Sequence, residues 1–241
     1  MTLSPLRPDF AANRDAARLV AVHILARTRH GVVKRIDLAA TPGGIGTPAF
    51  GPDHRVLRIS GDLLIDEATQ EAASTRIISW GGLTLAALAE FVGVELDSHF
   101  SAGHDTPELT DAALHVEAST IRQLGEWFAF GGTVLDRVLG DRRDTPLTTR
   151  ARIWPEHFDL GVDVAAPNGQ RINLGASPGD GFHDEPYLYA APWDADRPGD
   201  AAYWNAPFGA VIGHADLRAS PGGDPIAAGV AFLETGIARF N

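Results

Sequence analysis

The sequence predicts an α+β protein with mainly antiparallel sheet, built from an internally duplicated helix–strands–helix unit. Three observations predict it. Two long segments carry apolar residues at helical spacing, and each is followed by short β-rich runs broken by Gly, Pro, Asn and Asp. A further helical pattern closes each half. A decapeptide also recurs: Arg35–Gly44 reads R-I-D-L-A-A-T-P-G-G and Arg171–Asp180 reads R-I-N-L-G-A-S-P-G-D, identical at six of ten positions. Downstream, Thr47-Pro48-Ala49-Phe50 parallels Glu185-Pro186-Tyr187-Leu188. The expected organisation is one globular domain over 1–241, with a first repeat at 9–93, a connector at 94–116 and a second repeat at 117–241. A chain of 241 residues suffices for one shared core.

The elements follow in order. Asp9–His30 reads as a helix, with Ala17, Val20, Ala21, Ile24, Leu25 and Thr28 on one face, Asp9 as N-cap and Gly31 as stop. Val32–Ala40 reads as a strand, and Thr41–Asp53, with four Gly and three Pro, as turns. Arg55–Ser60 and Leu63–Asp66 read as a hairpin, and Arg76–Trp80 as a short strand. Thr84–Gly93 is a short helix between a Thr cap and a Gly stop. The second long helix spans Glu117–Leu139, where Gly131-Gly132 implies a close packing contact or a kink. Arg152–Val164 and Arg171–Ala176 read as paired strands turning at Asn168-Gly169. Tyr187–Ala191 and Phe208–Ile212 are further strands, and the last helix starts at Asp224-Pro225 and runs to Arg239.

Composition removes several function classes. Acidic residues outnumber basic ones 31 to 20, a net charge of −11, so nucleic acid is not an expected partner. Cys is absent, which excludes disulfides, thiolate catalysis and iron–sulfur clusters. The longest stretches free of Asp, Glu, Lys and Arg are 15 residues and contain Pro and Gly, so no membrane span is expected. Met1–Phe10 lacks an apolar run, so the expected location is the cytoplasm. No P-loop, dinucleotide fingerprint, HExxH or EF-hand loop is present, and nothing points to nucleotide or haem.

The motifs that remain carry the chemistry. Gly175-Ala176-Ser177-Pro178-Gly179 matches G-x-S-x-G, but Pro178 lacks the N–H that an oxyanion hole needs, so Ser177 reads as a strand end. Between Ser177 and Asp200 lie six carboxylates, including Asp180, Asp184 and Glu185, with His183 among them and Tyr187, Tyr189, Trp193 and Trp204 interleaved or just after. Carboxylates with His supply acid–base chemistry or bind a hard divalent cation, and aromatic residues line organic pockets. Trp154-Pro155-Glu156-His157-Phe158-Asp159 opens the same half. Read as a strand, it sets Glu156 with Phe158 and Leu160 at a core rim, where a carboxylate pKa rises. His99-x4-His104-Asp105 is a weaker metal pattern in a loop, and His23 on the first helix reads as a half-buried core histidine.

At these residues the chain resembles conserved hypothetical proteins of actinobacteria and, more distantly, a larger bacterial family of unknown function. That family carries a W-G-S-F-D-L strand, then P-G-D and E-P-x-F-Y-S-Y. The matching positions are Trp154 with Phe158-Asp159-Leu160, Pro178-Gly179-Asp180, Glu185-Pro186 and Tyr189. One extra residue separates Trp154 from Phe158, so His157 falls outside the shared pattern, as does His183. The resemblance implies a location for the site and no activity.

The expected function is a small-molecule enzyme or binder with an acidic, aromatic site in the second repeat. Glu185, Glu156, Asp180 and Tyr189 are its candidate catalytic residues, and Tyr187, Trp154, Trp193 and Trp204 its candidate pocket. His183, His157, Asp180 and Glu185 are the candidate ligands for a divalent cation. Glu185, held extended by Pro186, is expected to share an aromatic surface with Tyr187 and Tyr189. The alternative is a non-enzymatic structural or interaction module in which the Pro-Gly loops only shape the fold. The sequence leaves the oligomeric state open.

Overall fold

A computed structural model of the chain describes residues 2–70, 73–140, 148–165, 169–194, 197 and 199–239. Asn168 of the expected turn and Asp196 of the acidic segment lie outside the described residues. The fold is α+β with two antiparallel five-stranded sheets. The chain divides into two compact units. One, here the N-terminal unit, comprises Leu6–Glu126 with Ile153–Phe158. The C-terminal unit comprises Met1–Pro5, Trp127–Arg152 and Asp159–Asn241.

The N-terminal unit begins with a continuous helix in three parts: α1 (Phe10–Val20), a π-helical segment (Ala21–Ala26) and α2 (Arg27–Val33). The expected stripe is buried, with Ala17, Val20, Ile24 and Leu25 fully covered, but all six residues of the π-helical segment are buried too, so there the cover is not confined to one face. The end of the helix is not the expected one. Gly31 lies inside α2, and Lys34 at φ 57° provides the left-handed stop, so Val32 and Val33 are helical and only Ala39–Thr41 forms the strand β1. A left-handed lysine stands where a glycine would be cheaper, and just beyond it Asp37 meets Arg29 of α2 in an ion pair at 2.7 Å.

Strands β2 (Gly44–Gly46), β3 (Val56–Ser60), β4 (Leu63–Ala68) and β5 (Ser74–Ser79) complete a meander in the order β1-β2-β3-β4-β5. Leu57 and Ile59 of β3 and Leu64 of β4 face the core. Helix α3 (Leu85–Val92) sits between the expected caps: Thr84 Oγ1 accepts from Ala87 N, and Gly93 stands at φ 74°. The 94–116 connector belongs to this unit.

Helix α4 (Ala118–Leu139) begins in the N-terminal unit and continues in the C-terminal one. Its glycines mark close approaches. A Cβ on Gly125 would stand 2.5 Å from the backbone N of Gly44, and one on Gly131 would stand 2.5 Å from Ala176 Cβ. The expectation for Gly131 therefore holds as packing.

The second sheet has the order β10-β9-β8-β7-β6, from β6 (Arg152–Trp154), β7 (Asp159–Ala165), β8 (Arg171–Ser177), β9 (Tyr187–Pro192) and β10 (Ala210–Gly213). One face of β7–β9, carrying Leu160, Ile172, Leu174, Ala176, Leu188 and Ala190, is apolar and buried. It packs on α4 and on α6 (Pro225–Ala238), whose Gly229 and Gly236 approach Leu188 and Ala190. Asp224 caps α6, accepting from Ile226 N and Ala227 N at 3.1 Å. The short helix α5 (His214–Arg218) has no counterpart in the expected elements.

Each five-stranded sheet is preceded by a long helix and followed by shorter ones along the chain, but the two decapeptides do not occupy equivalent places. The first leads through an irregular stretch into β1, an edge strand; the second is β8, the middle strand of its sheet. Their shared Pro-Gly ending is turn chemistry that any strand end can use. The match carries no demonstration of duplication.

Trp154–Phe158 also departs from expectation. It is a turn between β6 and β7 rather than a strand, closed by Phe158 N donating to Trp154 O at 2.7 Å. Phe158 is buried and left-handed at φ 56°, a conformation that costs a bulky residue ~1–2 kcal/mol.

Candidate functional site

The C-terminal unit places Asp180, Tyr187 and Tyr189 together. In the β8–β9 register Gly175 stands opposite Tyr189 and Ser177 opposite Tyr187, so both tyrosines share a face with β8's small residues. The Tyr189 ring lies across Gly175, where a Cβ would collide with it. Both tyrosines are buried, with ring centroids 6.4 Å apart. Phe182 and Phe208 complete the cluster, edge-on to each other at 5.1 Å and packed on Tyr187.

Each phenol donates to a carboxylate: Tyr187 Oη to Asp180 Oδ2 at 2.5 Å, and Tyr189 Oη to Asp159 Oδ2. Burial, then the Asp180 hydrogen bond, pushes Tyr187 above its ordinary value. Burial, then the Asp159 charge, does the same to Tyr189. Both therefore stay protonated as donors.

Asp180 is fully engaged. Oδ1 accepts from Phe182 N at 2.8 Å and His183 N at 3.2 Å, while Oδ2 accepts from Tyr187 and from Ser177 Oγ at 3.4 Å. Ser177 Oγ in turn accepts from Gly179 N. These bonds hold the loop between β8 and β9 and leave Asp180 no unused position for a metal or a proton in transit.

The expectation for Glu185 fails. Its side chain is exposed, whereas Pro186 and both tyrosines turn inward. The loop is shaped by Asp180, so the extended run that would align Glu185 with the tyrosines begins only at β9. Glu185 acts at a distance on buried His214, whose pKa burial lowers and Glu185's charge raises. The metal set is not assembled either. His183 Nδ1 accepts from Glu185 N, Asp180 is occupied, and His157 belongs to the other unit. Among the described residues no group of three or more His, Asp or Glu side chains is placed to hold a metal ion.

The proposed pocket aromatics are dispersed. Trp193, 64% exposed, stacks under Arg171 and donates to Asp163 at 2.7 Å. Trp204 meets Tyr203 edge-on at 4.8 Å, and Trp154 ends β6 in the N-terminal unit.

The N-terminal unit builds a different arrangement around Glu156. The side chain is 9% exposed, and its Oε2 is buried with no hydrogen-bond partner among the described residues. Desolvation raises its pKa, and the Asp105 charge adds to this; its own backbone, His157 and Arg18 oppose. Gly103 lies directly against it, since a Cβ there would stand 2.7 Å from Glu156 Cγ. Beside it His157 Nδ1 pairs with Asp105 Oδ2 at 2.9 Å, both side chains largely exposed. The partner orders the ring: a carboxylate oxygen accepts, so Nδ1–H donates to it, and in the neutral imidazole Nε2 is then the acceptor.

A strap of chain holds this arrangement. Arg18 Nη2, from α1, donates to the carbonyls of Asp105 and Glu156. His23, in the π-helical segment, pairs through Nε2 with Pro107 O at 2.8 Å and is buried, so its pKa is lowered by desolvation. Thr106 Oγ1 accepts from Ala102 N and Gly103 N. π-Helical turns and left-handed bulky residues both concentrate at functional sites, and here one supplies a contact to the strap and the other follows the Glu156–His157 pair. Arg18 Nε is a second buried polar atom with no partner among the described residues.

Glu156 and His157 are legible as candidates in the sequence, whereas Asp105 falls in a loop metal pattern and no motif marks Arg18. A separation of 52 residues joins Asp105 to His157. No local spacing encodes that pairing. Asp159 stood in the sequence beside Phe158, yet its pairing with Tyr189 required the sheet register.

Comparison with protein-family models, with curated proteins and with solved structures returns no match. Among the described residues no helix is long and apolar enough to cross a membrane.

Proposed function

We propose that the protein is a small-molecule enzyme or binder whose acid–base site is Glu156 with the Asp105–His157 pair. One observation carries the reading: a carboxyl nine-tenths buried, with one oxygen unpartnered among the described residues, beside a histidine oriented by a carboxylate. A polar group left in this way costs ~1–3 kcal/mol, and Phe158 strain adds to that cost. The raised pKa favours the neutral acid, able to donate a proton or hydrogen bond, while His157 Nε2 accepts one and Asp105 stabilises the resulting imidazolium. Neighbouring groups with opposite proton tasks are the arrangement that acid–base catalysis uses. The reading includes a cytoplasmic location, a small polar ligand rather than nucleic acid or membrane, and kinship with the actinobacterial proteins described above.

The test is a ligand-observed NMR screen of small polar compounds: hydroxy acids, amines and sugars. Compounds that bind the native chain are expected to lose binding in Glu156→Gln and His157→Ala, both with unchanged circular dichroism. Binding untouched by both substitutions overturns the assignment. So does a Glu156 carboxyl that titrates with the exposed glutamates in ¹³C NMR.

The second reading, a structural module, is favoured by Asp180 alone, whose hydrogen bonds all serve its own loop.

A further inference from the structure

Strand β5 closes its sheet with nothing beyond it in the strand order. It pairs with β4 through six consecutive positions, Ser79 opposite Leu63 to Ser74 opposite Ala68, without a bulge. Trp80 N donates to Asp62 O at 2.8 Å. Antiparallel ladders alternate bonded and non-bonded pairs, so the pairs two, four and six residues further along bond to each other: Leu64 with Ile78, Asp66 with Arg76, Ala68 with Ser74. The backbone N–H and C=O groups of Thr75, Ile77 and Ser79 therefore point outward. Among the described residues none of them has a partner.

Edge strands are ordinarily protected by Pro, Lys, bulges or exposed charge. Residues 74–79, S-T-R-I-I-S, have none of the first three. The one charge, Arg76, has a half-exposed side chain, but its guanidinium is held in place by Asp66 and lies 4.9 Å over the Phe91 ring. Apolar surface is left at the edge instead, with Ile77 55% and Leu63 37% exposed.

We infer that β5 is a self-association edge, pairing antiparallel with β5 of a second copy about a two-fold axis through Ile77. That register sets all three outward residues to use: Ile77 faces Ile77 of the partner, and Thr75 faces Ser79 in both directions. The six outward groups of each strand bond to the six of its partner. Thr–Ser and Ile–Ile are favourable cross-strand pairs, and an isologous contact closes at two copies. In this register Arg76 stands opposite Ile78 of the partner and not opposite the partner's Arg76, and each guanidinium is held on its own Asp66, which it shares with Arg55. This self-complementarity commits the edge to a second copy rather than to a foreign peptide. The contact is at the low end of specific interfaces, below ~1,200 Å², so it forms at high protein concentration.

The chain contains no Cys, so a single introduced one reports on this contact. Bonded antiparallel pairs hold Cα atoms ~5.5 Å apart, within the ~4.4–6.8 Å of a disulfide. Under mild oxidation Ile77→Cys is expected to yield a covalent dimer at least tenfold more than Val32→Cys, another exposed apolar position. Sedimentation of the native chain should show a concentration-dependent dimer, lost in Ile77→Lys and in Thr75→Lys, with circular dichroism confirming the fold of each. A chain that stays monomeric at ~1 mM, cross-linking equal at both Cys positions, or a dimer untouched by both Lys variants overturns the inference. A monomer that takes up an extended peptide along β5 overturns it too, in favour of a foreign partner.

Discussion

Asp66 and Glu156 belong to the same unit and are buried to nearly the same degree, 6% and 9% exposed. Burial pushes both carboxyls upward. At Asp66 a bidentate Arg55, at 2.8 and 3.0 Å, and the Arg76 guanidinium reverse that push, and its pKa ends below the ordinary value. At Glu156 no guanidinium reaches the carboxyl. Arg18 spends its Nη2 donors on two backbone carbonyls, and the pKa ends above the ordinary value. Asp66 pins β3, β4, β5 and the end of α3 together, since Arg55 also donates to Val92 O. Glu156 pins nothing with its side chain. Equal burial thus separates a carboxylate that stabilises the fold from one whose presence the fold does not explain, and the number of donors at the oxygens makes the difference.

The largest expected effect tests the structural side of this contrast. Asp66→Ala leaves Arg55 without its partner in a partly buried site and should cost about 3–5 kcal/mol in urea unfolding. A cost below ~1 kcal/mol would make the Asp66 network no more than a surface ion pair. The pH dependence follows from the lowered pKa. The Asp66 contribution is present above its unfolded value near ~3.9 and is lost as pH falls through the folded value.

Asp180 extends the comparison to the C-terminal unit, as a carboxylate whose partners are neutral. Asp180→Ala should cost about 1–3 kcal/mol and should raise amide exchange at Phe182 and His183, whose N–H groups it accepts. Protection unchanged at both amides would refute its role in holding the loop.

Glu156→Gln should be close to neutral at low pH, since Gln resembles the protonated acid. A raised folded pKa means that native Glu156 contributes fully below its unfolded value near ~4.3 and loses that contribution as pH rises through the folded value. The Gln variant does not titrate, so unfolding free energies measured from pH 4 to pH 8 should shift steadily in its favour. A difference that is flat across this range breaks the contrast with Asp66.

The smallest effect belongs to Glu185→Ala. An exposed side chain away from caps and networks should change stability by no more than ~0.5 kcal/mol, read as an almost unmoved Tm. A larger loss would return Glu185 to the site from which its exposure removes it.

Elements governed by neighbouring residues were legible. The Thr84 and Gly93 caps bound α3, Asp224-Pro225 opens α6, and β3 and β4 pair around Gly61-Asp62 as alternation implies. The start of the first helix was legible too, but not its π-helical segment, which is buried on every side, or its stop at Lys34. The strand reading of Trp154–Phe158 failed because alternation of apolar and polar residues survives in a turn. Glu185 failed for a related reason: its period-two relation to Tyr187 and Tyr189 holds only inside a strand, and β9 starts at Tyr187.

The sequence by itself determined the α+β class, most helix limits and the absence of cysteine chemistry, because caps, glycine stops and hydrophobic periods act over a few residues. It also marked Glu156, Asp180 and Tyr189 as residues of interest. Only the tertiary structure decided their roles. Asp180 became a loop brace because Tyr187 and two amides converge on it, and Tyr189 a donor because β7 brings Asp159 to its hydroxyl. Glu156 Oε2 has no partner among the described residues, although Gly103 of the strap lies directly against the side chain. A carboxylate's pKa and task depend on which donors reach its oxygens, and those donors come from segments tens of residues away.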